Sequence, residues 1–175
     1  MRITLYLFVG LLCMLFQTAL FPRLFPVYLK PDLLLILVVY LGVNEEYGSG
    51  GLLAYLFGCL LDVFAGSYVG MYGLSFLVLF FTVRGTVSYF NSENPLLLLF
   101  LVFCGTLLEA AMLILLGFLA QVGELWIIVV RWIVPQLLLN ITIAYLLLAV
   151  ITRLQRQFPR LKIPGLSRLD ERYEG

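Results

Sequence analysis

Histidine is missing from all 175 residues, and only 12% of the chain is charged. The first absence excludes a histidine-based catalytic triad and any zinc site with histidine ligands. The second excludes a soluble fold, because so few charges cannot keep a surface in water. Cysteine is scarce as well. Cys13, Cys59 and Cys104 each sit inside an apolar run without a C-x-x-C spacing, so they read as small buried hydrophobes and not as a disulfide framework. The sequence carries no Gly-rich phosphate loop, no paired-carboxylate hydrolase pattern and no G-x-S-x-G elbow. No internal repeat supports a repeat-built transporter. The net charge of +1 gives no basis for a nucleic-acid partner, and no cofactor or metal is implied.

What remains is hydrocarbon: 63% of residues are hydrophobic, in apolar segments that fill residues 3–151. Connections this short cannot fold as soluble domains, so the expected fold class is all-α, a polytopic membrane protein of six transmembrane helices. Residues 1–151 form the expected membrane domain and residues 152–175 a basic cytoplasmic tail. The first segment, Ile3–Leu20, lacks a signal-peptide cleavage site and is expected to end at Phe21-Pro22 and Phe25-Pro26. Pro31 and Asp32 open a short second segment, Leu33–Val43. That run covers only about half of a ~30 Å hydrocarbon layer, so a five-span arrangement with an interfacial second segment is the alternative. Gly48–Gly51 is expected to be a surface turn before Leu52–Phe64. Gly66–Gly70 links to Met71–Val83, Asn91–Pro95 is a capped loop before Leu96–Ala120, and Gly123-Glu124 precedes Leu125–Ile151.

Six of the eleven Lys/Arg residues (Arg153, Arg156, Arg160, Lys162, Arg168 and Arg172) follow the last apolar segment. The positive-inside bias therefore puts the C-terminus in the cytoplasm, and an even span count puts the N-terminus there too. Arg153, Arg156 and Arg160 share one helical face suited to anionic membrane lipids.

The polar residues within the segments can be weighed one by one. Ala54, Gly58, Asp62, Gly66 and Gly70 recur every four residues, forming a ridge of small side chains that lets a second helix come close. Asp62 on that ridge is either an interfacial carboxylate bonded to the following turn at Ser67 or to backbone N–H groups, or a polar anchor for another helix. Glu109 and Arg131 are expected to form an ion pair that holds two antiparallel helices together, in preference to a proton or substrate relay, with long side chains closing part of a depth mismatch of roughly 9 Å. Pro135 frees a backbone carbonyl near Arg131, and Gln136 and Asn140 are expected to satisfy that break or a neighbouring helix.

One stretch carries a family resemblance: Lys30-Pro31-Asp32-Leu33-Leu34-Leu35, the small-residue run Gly48–Gly51, then Gly58-x-x-x-Asp62-x-x-x-Gly66-x-x-x-Gly70-x-x-Gly73. With Gln17-Thr18 before a proline, it resembles the bacterial rod shape-determining protein MreD family. The resemblance implies a non-enzymatic inner-membrane scaffold of the cell-elongation and peptidoglycan-synthesis machinery. The partners it implies are MreC directly, with MreB, RodA and a class B penicillin-binding protein in the same complex. It also implies a fold like the membrane substrate-binding subunits of energy-coupling-factor vitamin transporters. A vitamin-binding transport subunit is therefore the main alternative. The short, featureless external loops expected at Pro22–Lys30, Gly66–Gly70 and Ala120–Glu124 favour the scaffold.

Overall fold

The computed structural model describes residues 2–24, 31–65, 70–88, 95–121 and 125–157. All regular structure among them is helical: α1 (Arg2–Leu15), a π-helical turn (Phe16–Leu20), α2 (Phe21–Leu24), α3 (Leu33–Asn44), α4 (Tyr47–Ala65), α5 (Met71–Val87), α6 (Pro95–Leu119) and α7 (Leu125–Gln157). Four stretches are long and apolar enough to cross a membrane: Ile3–Leu20, Tyr47–Phe64, Leu96–Leu119 and Trp126–Val150. The protein is a polytopic helical membrane protein.

Two expected boundaries move. The first helix does not break at Phe21-Pro22 but runs on to Leu24. Pro22 has no N–H to donate, and the helix accommodates it with a wider turn in which the Phe21 N–H reaches back to the Phe16 carbonyl. Gly48–Gly51, expected as a surface turn, lies inside α4. There Gly50 sits under the Phe80 ring of α5, where a Cβ would collide with Cε2 and Cζ. Gly50 thus serves helix contact and not a bend, whereas Gly48 faces open space. The expected loops at Asn91–Asn94 and Gly123-Glu124, and the tail beyond Gln157, lie outside the described residues.

α3 is the centre of the molecule, touching α1, α4, α5, α6 and α7. It is apolar on every side, as a helix surrounded by other helices must be: Leu34, Leu35, Val38, Val39 and Leu41 are fully buried. Bilayer hydrocarbon is as apolar as leucine, so this burial stabilises through close packing and not through escape from water. The outer helices show the opposite pattern. Phe8, Leu5, Leu15 and Leu12 of α1, and Val134, Leu138, Leu146 and Val150 of α7, are exposed and form apolar lipid-facing stripes.

The twelve residues of α3 extend only about 18 Å, too little to cross the bilayer. Its start also lies deep. The Asp32 N–H donates to Asn140 Oδ1 at 2.8 Å, and Asn140 lies close to the middle of the apolar stretch Trp126–Val150. α3 therefore begins at mid-membrane depth and runs to one surface. It is one of two apolar helices, with Met71–Val87, that are shorter than the four long stretches.

Candidate functional site: a polar junction at the start of α3

A helix that begins inside hydrocarbon must have its free N–H groups satisfied by protein, since no water is there to do it. Three side chains from three parts of the chain meet this need. Asp32 caps its own helix, with Oδ1 accepting from Leu35 N at 2.9 Å. Gln17 Oε1 accepts from Leu34 N at 3.4 Å while its Nε2 donates to Asp32 Oδ1 at 3.3 Å. Asn140 Oδ1 takes the Asp32 amide, and Asn140 Nδ2 donates to Thr106 Oγ1 of α6 at 3.2 Å. The π-helical turn belongs to this arrangement, because it is the segment that carries Gln17 into the interior.

Glu109 completes the junction from α6, one turn beyond Thr106. It is 2% exposed, and its carboxyl lies within hydrogen-bonding reach of the Asp32 carboxyl. Its Oε1 is buried with no hydrogen-bond partner. The expected ion pair with Arg131 is not formed: Glu109 faces inward to Asp32, while Arg131 lies on the exposed side of α7. The α3 N-terminus inserts where the pairing was expected, and Glu109 packs against that terminus. Gln136 is only partly buried and does not reach the junction. Asn140 bonds to the α3 N-cap and to Thr106 of α6.

Asp62 forms a second, similar device. From the end of α4 its carboxylate accepts three backbone N–H groups at the start of α5: Gly70 N (2.9 Å) and Gly73 N (3.0 Å) on Oδ2, and Tyr72 N (3.0 Å) on Oδ1. A carboxylate at a helix N-terminus is favoured both by those donors and by the helix dipole. Of the two readings offered by sequence, the contact with backbone N–H groups is the one the structure displays; Ser67 lies outside the described residues. Gly70, at φ 103° in the left-handed region, turns the chain into this cap, a conformation glycine adopts without strain.

The ridge around Asp62 meets α5 of the same chain. A Cβ on Gly58 would fall 2.5 Å from the Tyr72 carbonyl oxygen and 2.6 Å from Gly73 Cα, and Ala54 is fully buried. Gly58, Asp62 and Gly73 thus bring two backbones into direct contact. Gly66, the fourth rung, lies outside the described residues.

Sequence reasoning missed Gln17, Asp32 and Thr106 as members of one site. The available signal was a capping aspartate after Pro31 in a segment too short to span, which places a helix start, and its need for partners, within the membrane.

A multi-helix membrane domain, tied together by buried polar side chains and bare of extramembrane domains among its described residues, is the class of protein these observations define. The model of the family described as rod shape-determining protein MreD matches residues 1–158. The chain belongs to that family, and its role is therefore in rod shape determination. No curated protein and no solved structure matches the chain.

Proposed function

We propose that the chain is a non-enzymatic scaffold of the cell-elongation and peptidoglycan-synthesis machinery in the bacterial inner membrane. In this reading it binds MreC directly and is joined in the same complex by MreB, RodA and a class B penicillin-binding protein. One observation carries the reading: Asp32, Asp62, Thr106 and Asn140 are all engaged in fixing one helix to another. The outer faces of α1 and α7 are left for lipid and for partner helices. A reaction centre would need reactive groups turned toward a substrate, whereas these are turned toward backbone groups and toward one another.

The orientation proposed with it has both termini in the cytoplasm. Arg84, whose side chain donates to the Val43 carbonyl at 3.3 Å, lies at the end of the bundle where α3 finishes and α4 begins. α6 leads away from that side and α7 returns toward it, carrying Arg153 near its end at Gln157. The basic residues therefore gather on one surface, which the positive-inside bias makes cytoplasmic.

Purification from membranes in mild detergent tests the function. Recovery of MreC with the chain is expected. Recovery of a stoichiometric small molecule without MreC would favour the transport-subunit alternative, in which the mid-membrane junction would sit beneath a ligand.

A further inference from the structure

We propose that Asp32 and Glu109 share one exchangeable proton, and that this proton locks the mid-membrane start of α3 to α6. The observation is a contact between two carboxyl groups deep in the bundle, 3% and 2% exposed. A carboxylate has acceptors only, so two of them can be joined by a hydrogen bond only if one carries the proton. Two bare negative charges at this depth would also repel strongly and be starved of solvation.

The surroundings leave no other source for that positive charge among the described residues. Asp32 has its own donors, the Leu35 N–H and Gln17 Nε2, together with the positive end of α3. Glu109 has Oε1 with none. The charged and titratable groups of the packed elements do not supply a cation. From α5 comes the phenol of Tyr72, from α4 the carboxylate of Asp62, which is committed to three N–H groups. From α7 comes Arg131, which is exposed on the outer side, from α1 come the phenol of Tyr6 and the thiol of Cys13, neither of them a cation, and the π-helical turn contributes the uncharged Gln17. Metal ligation is not indicated, since no group of three or more Cys, Asp or Glu side chains is gathered among the described residues. Release of the proton would set two charges against each other across the contact between α3 and α6, so the junction holds while the proton is bound and loosens as pH rises.

Infrared spectroscopy of the whole protein in lipid nanodiscs reads the proton directly, through the carbonyl stretch of a protonated carboxyl group. At neutral pH the wild type is expected to show this band, and either Asp32→Asn or Glu109→Gln alone is expected to abolish it. In each variant the new amide donates to the remaining carboxylate, so no proton is needed. Two separately protonated carboxyls would instead leave half the band in each variant, which would overturn the proposal.

Should both variants fail to fold, the wild type decides alone: the band must fade with rising pH in parallel with resistance to unfolding. A wild type without the band refutes the shared proton, whether because Lys30, outside the described residues, pairs with Asp32 or for any other reason. So does a band that sodium chloride suppresses where choline chloride does not, which would mark a sodium site. A band that stays constant at every pH at which the protein remains folded would show a fixed structural proton, and would equally refute exchange.

Discussion

Asn140 Oδ1 accepts the backbone N–H of Asp32 at 2.8 Å across 108 residues of sequence, so a side chain in the middle of α7 holds the residue that caps α3. The same amide group donates to Thr106, so Asn140 ties α7 to both α3 and α6.

Replacing Asn140 with Leu should therefore strand a buried N–H in an apolar layer. The expected cost is about 1–3 kcal/mol, the range for a buried donor left unsatisfied. Unfolding in mixed micelles with rising denaturing detergent measures it. A loss within ~0.5 kcal/mol, as for an ordinary surface substitution, would show that the bond carries nothing.

Gly58 makes a sharper case because backbone, not a movable side chain, occupies the space its Cβ would need. Even Gly58→Ala should lower the folded level in the membrane, and Gly58→Leu should lower it further. MreC recovered per folded molecule should stay unchanged, since the ridge faces α5. Normal abundance with lost MreC recovery would put the ridge at an external interface instead.

At Asp62 the side-chain series should be graded. Asp62→Ala removes the acceptor of three N–H groups, and hydrogen bonds to a charged group are each worth roughly 1.5–3 kcal/mol net. Asp62→Asn keeps one acceptor oxygen and should fall between Ala and wild type. Thermal stability of the purified variants gives the order, and an Asn variant as weak as the Ala variant would mean that charge alone matters.

Glu109 and Arg131 should behave as independent residues. Their side chains are not in contact, so the stability changes of Glu109→Gln and Arg131→Leu should add within about 0.5 kcal/mol in the double variant. Coupling beyond that would restore the ion pair expected from sequence.

For topology, single cysteines introduced at Ser88 and at Gln121, at opposite ends of the bundle, should label from opposite sides of the membrane. In intact cells a membrane-impermeant reagent should reach position 121 and not position 88. The reverse pattern would invert the proposed orientation.

Composition and periodicity were enough to show a helical membrane protein, because a bilayer accepts few backbone solutions and each leaves a long apolar run. The same reading located the glycine ladder and the polar residues that deserve individual weight. Their partners were beyond it. Glu109 and Arg131 invite pairing on adjacent helices, since sequence shows depth and sign of charge but not the direction in which a side chain points. Direction was decided by a short helix, α3, that starts halfway through the membrane. Its unpaired N–H groups draw Gln17, Asn140 and Asp32 inward and set Glu109 beside Asp32, leaving Arg131 outside. Hydrophobicity, a property of each residue, can be read along the chain. The satisfaction of buried polar groups depends on which helices meet, and only the assembled bundle determines that.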